Sequence, residues 1–237
     1  LKYSSYILGR KPQISWLNSV DYEKNPAKLK ELAKYDGIVV PGGFGKRGVE
    51  GNLSVVKYAR ENKIPYFGLC YGMQMMVIEY ARNVLGLKDA NTREVNPNAK
   101  NIVIDVMESQ KENLVNRRYG GSMRLGAYKA VLEPGSIAHL AYSSQGRSLK
   151  GSPKGPSLIS ERHRHRYEVN PTYIKELEKK GLVFSGRSPD GKLMEIAELP
   201  RSLHPFFLGT QYHPEFLARP LAPHPLFTAF IKACIGK

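Results

Sequence analysis

Hydrophobic and polar positions change their period several times along these 237 residues, and the changes outline an architecture. Short apolar runs at Gln13–Leu17, Gly37–Val40 and Ile64–Leu69 read as strands. Between them Pro26–Ala33 and Leu53–Asn62 carry helical spacing, and Pro26 suits a first helical turn, where no backbone donor is needed. Leu1–Arg10 has helical spacing at Tyr3, Tyr6, Ile7 and Leu8 with no cap before it, so it reads as the end of a helix. A long apolar helix follows Cys70 to about Leu85 and is stopped by Gly86. Ile102–Met107 and Ala127–Leu132 read as strands, and the Ser-, Gly-, Lys- and Pro-rich Ser143–Pro156 as an exposed loop. Pro171–Lys180 is amphipathic and helical, ended by Gly181. Leu182–Arg187 and Leu193–Glu198 flank Ser-Pro-Asp-Gly and predict a hairpin; Phe206–Tyr212 is a strand and His224–Ile235 a closing helix. This alternation predicts one α/β domain over residues 1–237, a doubly wound, mostly parallel sheet with flanking helices.

Composition narrows the class. With 41% hydrophobic and 24% charged residues the chain is globular, and it is long enough to bury a core without covalent staples. Two cysteines, Cys70 and Cys234, argue against a disulfide scaffold and for a reducing compartment. No run approaches the ~18 apolar residues of a membrane span, and no signal-peptide pattern opens the chain. A cytoplasmic protein with no membrane association is the expectation. The net charge of +15 fits nucleic acid, an acidic partner or polyphosphate ligands. However, the basic residues are dispersed, clustering only at Arg117–Arg118 and Arg162–Arg166, without a basic tail or nucleic-acid motif. A basic solvated surface, and no nucleic-acid partner, is the expectation.

The chemistry concentrates at Gly68-Leu69-Cys70-Tyr71-Gly72-Met73-Gln74, where an apolar strand gives way to a helix. This G-x-C-x-G pattern is the cysteine counterpart of the nucleophile elbow. A nucleophile on so sharp a turn sits in strained backbone, and residues two away must lack a Cβ to allow strand and helix to approach. The helix N-terminus favours the thiolate, and the amides after Cys70 contribute to an oxyanion hole. A buried structural cysteine is the competing reading; the paired glycines favour the nucleophile. Cys234, beside Ile231 and Ile235 in the terminal helix, reads as core.

A nucleophilic thiol calls for a base and an orienting group. Gln211-Tyr212-His213-Pro214-Glu215-Phe216 follows an apolar strand, and Pro214 ends regular pairing so that His213 and Glu215 share one pocket. His213 would exchange a proton with Cys70, and Glu215 would hold the imidazole in one tautomer. Pro41-Gly42-Gly43-Phe44-Gly45 ends another strand, where paired glycines turn N–H groups toward a developing oxyanion. It is not a phosphate loop, because no Gly-Lys-Ser or Gly-Lys-Thr follows.

Together these pieces resemble the class I glutamine amidotransferases, whose triad is Cys, His and Glu. The resemblance narrows to the glutaminase domain of the CTP synthase family through Pro41–Gly51, Asp89–Glu94, Gly121-Ser-Met-Arg-Leu-Gly126 and, most specifically, Glu161-Arg-His-Arg-His-Arg-Tyr-Glu-Val-Asn170. It implies that Cys70 attacks the side-chain amide of L-glutamine, with His213 and Glu215 completing the triad. It further implies that Gly43 and Tyr71 supply oxyanion amides, and that Gly43, Tyr71, Gly72, Met73, Gln74, Glu94 and Arg166 line the glutamine pocket. By the same likeness Arg47 and Arg124 face a GTP effector or a partner domain. His163 and His165 lack a second ligand pair for zinc, so no metal is expected. The resemblance implies no cofactor in this domain. ATP, Mg and UTP would belong to a synthetase domain, with GTP as effector and homo-oligomers forming through that domain. No Walker A sequence occurs here, and the first strand of such a domain and the start of its first helix are not seen; an excised glutaminase domain is the expectation.

Overall fold

The computed structural model describes residues 1–106, 123–146 and 156–236. Arg117–Arg118, Gly121, Ser122 and positions 147–155 of the expected exposed loop lie outside the described residues. A seven-stranded sheet runs in the order β1 (Ile38–Val40), β2 (Tyr66–Leu69), β10 (Phe207–Thr210), β9 (Met194–Leu199), β8 (Val183–Arg187), β5 (Arg124–Leu132), β6 (Ser157–His165). A small second sheet joins β3 (Asn91–Thr92), β4 (Ile102–Val106) and β7 (Tyr167–Val169).

Strand alternation builds the layers. Tyr66 and Phe207 point to one face, into a core with α3 (Val49–Glu61) and α4 (Tyr71–Asn83). Their neighbours Phe67 and Leu208 point to the other, into a core closed by α5 (Ile137–Ser144) and α7 (Pro225–Ile235). Both faces of the central strands are therefore dry, which is why Ile64–Leu69 reads as a nearly unbroken apolar run. α1 (Lys2–Ile7) lies against α7, joined by Thr228 Oγ1 to Ser4 Oγ at 3.4 Å.

The α/β class with flanking helices is as expected, but the predominance of parallel pairing is not. Within the seven-stranded sheet β1–β2 and β2–β10 pair in parallel, whereas β10–β9, β9–β8, β8–β5 and β5–β6 are antiparallel; in the second sheet β3–β4 is parallel and β4–β7 antiparallel. The cause is connectivity: β1 and β2 are linked by a helical crossover through α3, whereas the Ser-Pro-Asp-Gly turn folds β8 directly back on β9. The parallel half carries the candidate chemistry.

Gln13–Leu17 is not a strand. It has no ladder partner, and Ile14, Trp16 and Leu17 are exposed, Trp16 by 89%; an apolar run becomes a strand only when another strand offers its edge. A short helix, α2 (Ser19–Lys24), follows, and Pro26–Lys34 forms a 3-10 helix capped by Asn25. α3 starts at Val49 rather than Leu53, because Gly48 at φ 77° turns the chain into it and Gly51 packs against the Ser19 carbonyl. α6 (Pro171–Lys179) is capped by Asn170, whose side chain accepts from the Thr172 N–H.

Candidate active site

Cys70 stands between β2 and α4 at φ 50°, ψ −97°, a backbone region that side chains rarely enter. Three fixed points hold it there. Its N–H donates to the Thr210 carbonyl at 2.6 Å, its carbonyl accepts from the Gln74 N–H at 3.1 Å, and glycines permit the turn. A Cβ on Gly68 would fall 2.6 Å from the Gly72 backbone, and one on Gly72 would fall 2.2 Å from the Val40 carbonyl oxygen. Strand β1, the elbow and α4 thus pack backbone on backbone, as the G-x-C-x-G pattern requires.

His213 follows β10, the parallel neighbour of β2, so residues 143 positions apart in sequence reach one pocket. Its N–H donates to the Arg162 carbonyl at 2.8 Å, and its ring stacks on Phe216 with centroids 4.9 Å apart. Nδ1 lies 2.7 Å from Glu215 Oε1. That contact places the proton on Nδ1 and leaves Nε2 as a lone pair; Nε2 is buried and carries no hydrogen bond. Gly42 marks the convergence: a Cβ there would sit 2.8 Å from His213 Cε1 and 3.9 Å from Cys70 Cβ. Glu215 is half exposed on the short 3-10 helix Pro214–Leu217, and Pro214 at its first position sets the two-residue offset.

The thiol is not poised as a thiolate by the helix terminus alone. Burial pushes it up to about 12, and Glu168 and then Glu215 add to the shift. The Tyr71 amide and the Gln211 side chain oppose it, Gln211 Nε2 donating to Sγ at 3.6 Å. In the resting site the proton therefore stays on sulfur until a base takes it, which is a role for the free Nε2 of His213.

Of the other expected site residues, Gly43 lies against the Tyr71 ring, its Cβ position 3.4 Å from Tyr71 Cδ1. The loop that bears it is fastened twice: Gly45 N–H donates to Glu94 Oε1 at 3.0 Å, and Tyr71 Oη donates to the Gly45 carbonyl. Glu94 is half buried, raised by burial and drawn back by the Gly45 amide and the Arg166 charge, which sets Arg166 beside it. Gln74 is buried and donates to the Tyr167 carbonyl at 3.1 Å and to Gln211 Oε1 at 3.4 Å, so its side chain supports Gln211. Met73 is fully buried against Gly209, which leaves only its backbone for a ligand. Arg47 is exposed, but Arg124 is 8% exposed and pairs inward with Glu195 at 2.7 Å. It therefore does not face an effector or a partner domain. Cys234 packs beside Gly37 and Phe230, as core.

Sequence reasoning placed Gly42 in the oxyanion loop without its contact to His213, and gave Gln211, Glu168 and Glu195 no role of their own. For the buried histidines beside them a signal was present: in Glu161–Arg166, Glu and His alternate with Arg, the period of a strand with one buried face. β6 does bury Glu161, His163 and His165 and exposes Arg162 and Arg164.

A cysteine elbow, a His–Glu pair on the adjacent parallel strand and a fastened glycine loop define a thiol-dependent acyl-transfer site. The profile of the family described as Glutamine amidotransferase class-I matches residues 5–233, and the chain belongs to that family. Its curated relatives include CTP synthases. It is 53% identical over 222 residues to that of Carboxydothermus hydrogenoformans and 48% identical over 225 residues to that of Methanopyrus kandleri, each match covering 94% of this chain. It spans only 38% and 39% of those two proteins. Among solved structures it superposes on the Trypanosoma brucei CTPS glutaminase domain with bound acivicin at a TM-score of 0.87, with 36% identity, covering 99% of this chain and 85% of that one. A putative GMP synthase subunit from Thermoplasma acidophilum shares the fold at a TM-score of 0.57 and 16% identity, covering 99% of this chain and 86% of that one. Among the described residues no helix is long and apolar enough to cross a membrane.

Proposed function

We propose that this chain hydrolyses L-glutamine at Cys70 and delivers the ammonia to a synthetase domain that aminates UTP to CTP. The observation that carries the reading is the free, buried Nε2 of His213 held by Glu215 at the Gly42 convergence with Cys70. In the first step Nε2 takes the thiol proton and sulfur adds to the amide carbonyl of glutamine. The Tyr71 amide, with Gly43 on the neighbouring loop, stabilises the oxyanion. His213 returns the proton to the leaving nitrogen, the C–N bond breaks, and ammonia departs, leaving a thioester. Water, deprotonated by His213, cleaves the thioester to glutamate and restores the thiol. Glu94 and Arg166 suit the α-ammonium and α-carboxylate of the substrate, as charge-assisted partners. The elbow amides and Gly72 contribute backbone, and Gln74 acts through Gln211. ATP, Mg and UTP belong to the synthetase domain, with GTP as effector, and oligomers form through that domain.

The test is glutamate release by this chain and by Cys70→Ala, each with and without a separately expressed synthetase domain and GTP. Release that requires Cys70 supports glutamine hydrolysis, and stimulation by the synthetase domain identifies the acceptor. No release with partner and effector both present would overturn the assignment.

A further inference from the structure

Behind the site lies a buried group of ionisable side chains that the reaction does not use. Arg124 comes from β5, His163 and His165 from β6, Glu168 from β7 and Glu195 from β9; none is more than 8% exposed. Arg124 Nη1 reaches Glu195 Oε1 at 2.7 Å and Glu168 Oε1 at only 3.4 Å. His163 Nδ1 and His165 Nε2 are 3.0 Å apart, and His165 Nδ1 faces Glu168 Oε1 at 3.5 Å. Among the described residues, Glu168 Oε2, both carboxylate oxygens of Glu195, His165 Nδ1 and His163 Nε2 are buried without a hydrogen bond. The group adjoins the reacting pair: Gln74 donates its N–H to the Cys70 carbonyl and its side chain to the carbonyl of Tyr167, next to Glu168, each at 3.1 Å, and the ring of Tyr212, next to His213, lies 5.8 Å from that of His163; at this range the Glu168 charge raises the Cys70 thiol. Gln211 ties the two regions together, its N–H donating to the Glu195 carbonyl at 2.8 Å and its side chain to Cys70 Sγ.

One cation stands here for two carboxylates. Arg124, stacked at 4.4 Å on the Tyr128 ring, stands 2.7 Å from Glu195 Oε1 and donates to Glu168 Oε1 at 3.4 Å. A single guanidinium cannot offset both charges, and a second ionised carboxylate at this depth is costly. A proton on Glu168 resolves this and creates a donor for His165 Nδ1; His165 Nε2–H then donates to His163 Nδ1. Both histidines remain neutral, driven down by burial and by Arg124.

We propose that Glu168 is a positioning residue for the reaction, held protonated by the Arg124–Glu195 pair and the His165–His163 pair so that no negative charge opposes the thiolate of Cys70. The inference rests on Cys70 as nucleophile. The groups facing Cys70 are Glu168 from β7, Glu215 and His213 after β10, and the Tyr71 and Gln211 donors. Those facing Glu168 are Arg124, His165, Glu195 and Cys70 itself.

The test is the pH dependence of Cys70 alkylation by iodoacetamide, read by peptide mass spectrometry with Cys234 as internal control, so the result stands whether or not glutamate release is observed. In Glu168→Gln the amide reproduces the protonated acid. Its rate should match the wild type while the wild-type carboxyl holds its proton and exceed it by about tenfold at alkaline pH once that carboxyl ionises; one pKa unit is tenfold in thiolate. Glu195→Gln should act in the opposite direction. Arg124 turns to Glu168, the charge appears beside Cys70, and alkylation at pH 7 slows about tenfold. A loosened fold would accelerate Cys234 together with Cys70. For that case, the infrared band of a protonated carboxyl in the wild type at neutral pH supports the proposal, and its absence overturns it. With Cys234 unchanged, rates that shift in the same direction in both variants, or in neither, also overturn it.

Discussion

Gly72→Ala tests the backbone contact on which the elbow depends. The new methyl would lie 2.2 Å from the Val40 carbonyl oxygen, 3.1 Å from its carbon and 3.2 Å from Val40 Cβ, with ordinary contact beginning at 3.4 Å. Backbone blocks it on the β1 side, and the Gly68 turn blocks retreat on the other, so α4 must move away from the sheet by about 1 Å. Overpacking of this kind costs about 1–3 kcal/mol. With a urea slope of roughly 3 kcal/mol per M for a chain of this size, the midpoint should fall by about 0.3–1 M. Because Cys70 and the Tyr71 amide ride on the same helix start, a displacement of this size should lower glutamate release by about 10²-fold. Urea unfolding followed by circular dichroism and a coupled glutamate assay measure both effects. Gly9→Ala is the control: its Cβ meets open space, so it carries a left-handed backbone cost at φ 66° without any packing clash, and it should leave activity intact. A Gly72→Ala variant with the wild-type midpoint and turnover would refute the packing argument.

Two further outcomes follow from the same geometry. Gly42→Ala should lose activity with little change in stability, because its Cβ meets an imidazole edge that can swing away; a coupled glutamate assay beside a urea midpoint separates the two. The second concerns acid stability. His163 and His165 sit at about 2 and about 3 in the fold, against 6.5 ordinarily, so below pH 6.5 the unfolded chain takes up protons that the fold refuses. Glu195, raised to about 7, and Glu168, also raised, keep protons that the unfolded chain releases above 4.5. Between pH 4.5 and 6.5 the histidines make stability fall as pH falls and the glutamates make it fall as pH rises, so this group contributes a nearly flat profile. Below 4.5 only the histidine effect remains, and stability drops. Urea midpoints from pH 3.5 to 6.5 should show that acid loss, and His163→Gln should reduce it; parallel curves would overturn the assignment.

The elements and residues that the sequence disclosed share a cause. Where the apolar period was unbroken, as in Ile64–Leu69 and Phe206–Tyr212, burial on both faces dictated a strand. The elbow was legible because its glycines are demanded by backbone contacts within five residues. Gln13–Leu17 misled because strand formation needs a neighbour, which local pattern does not report. Beyond the β8–β9 hairpin, which its Ser-Pro-Asp-Gly turn disclosed, the antiparallel half of the sheet stayed hidden because pairing direction depends on how distant segments connect. Arg124 was misplaced outward because a lone arginine reads as surface; only the meeting of β5 with β9 supplies its partner, Glu195. Met73 and Gln74 were named as pocket residues from resemblance, but their side chains serve the core and Gln211, and this depends on the rotation of α4 rather than on spacing.

The pairing of β2 with β10 has a consequence for how the protein is made. Gly68 faces Gly209 and Leu69 faces Thr210 across the ladder, and the Thr210 carbonyl holds the strained amide of Cys70. The Gln74 N–H anchors the turn locally at the Cys70 carbonyl, but the amide side, at φ 50°, is held by a contact that closes a loop of some 140 residues. During synthesis Cys70 emerges well before Thr210, which fixes its turn, and His213, its proposed base. The thiol therefore stays in an ordinary, relaxed conformation until β10 is made. The arrangement proposed for catalysis forms only as β10 docks on β2, so that one event completes this part of the sheet and the candidate site.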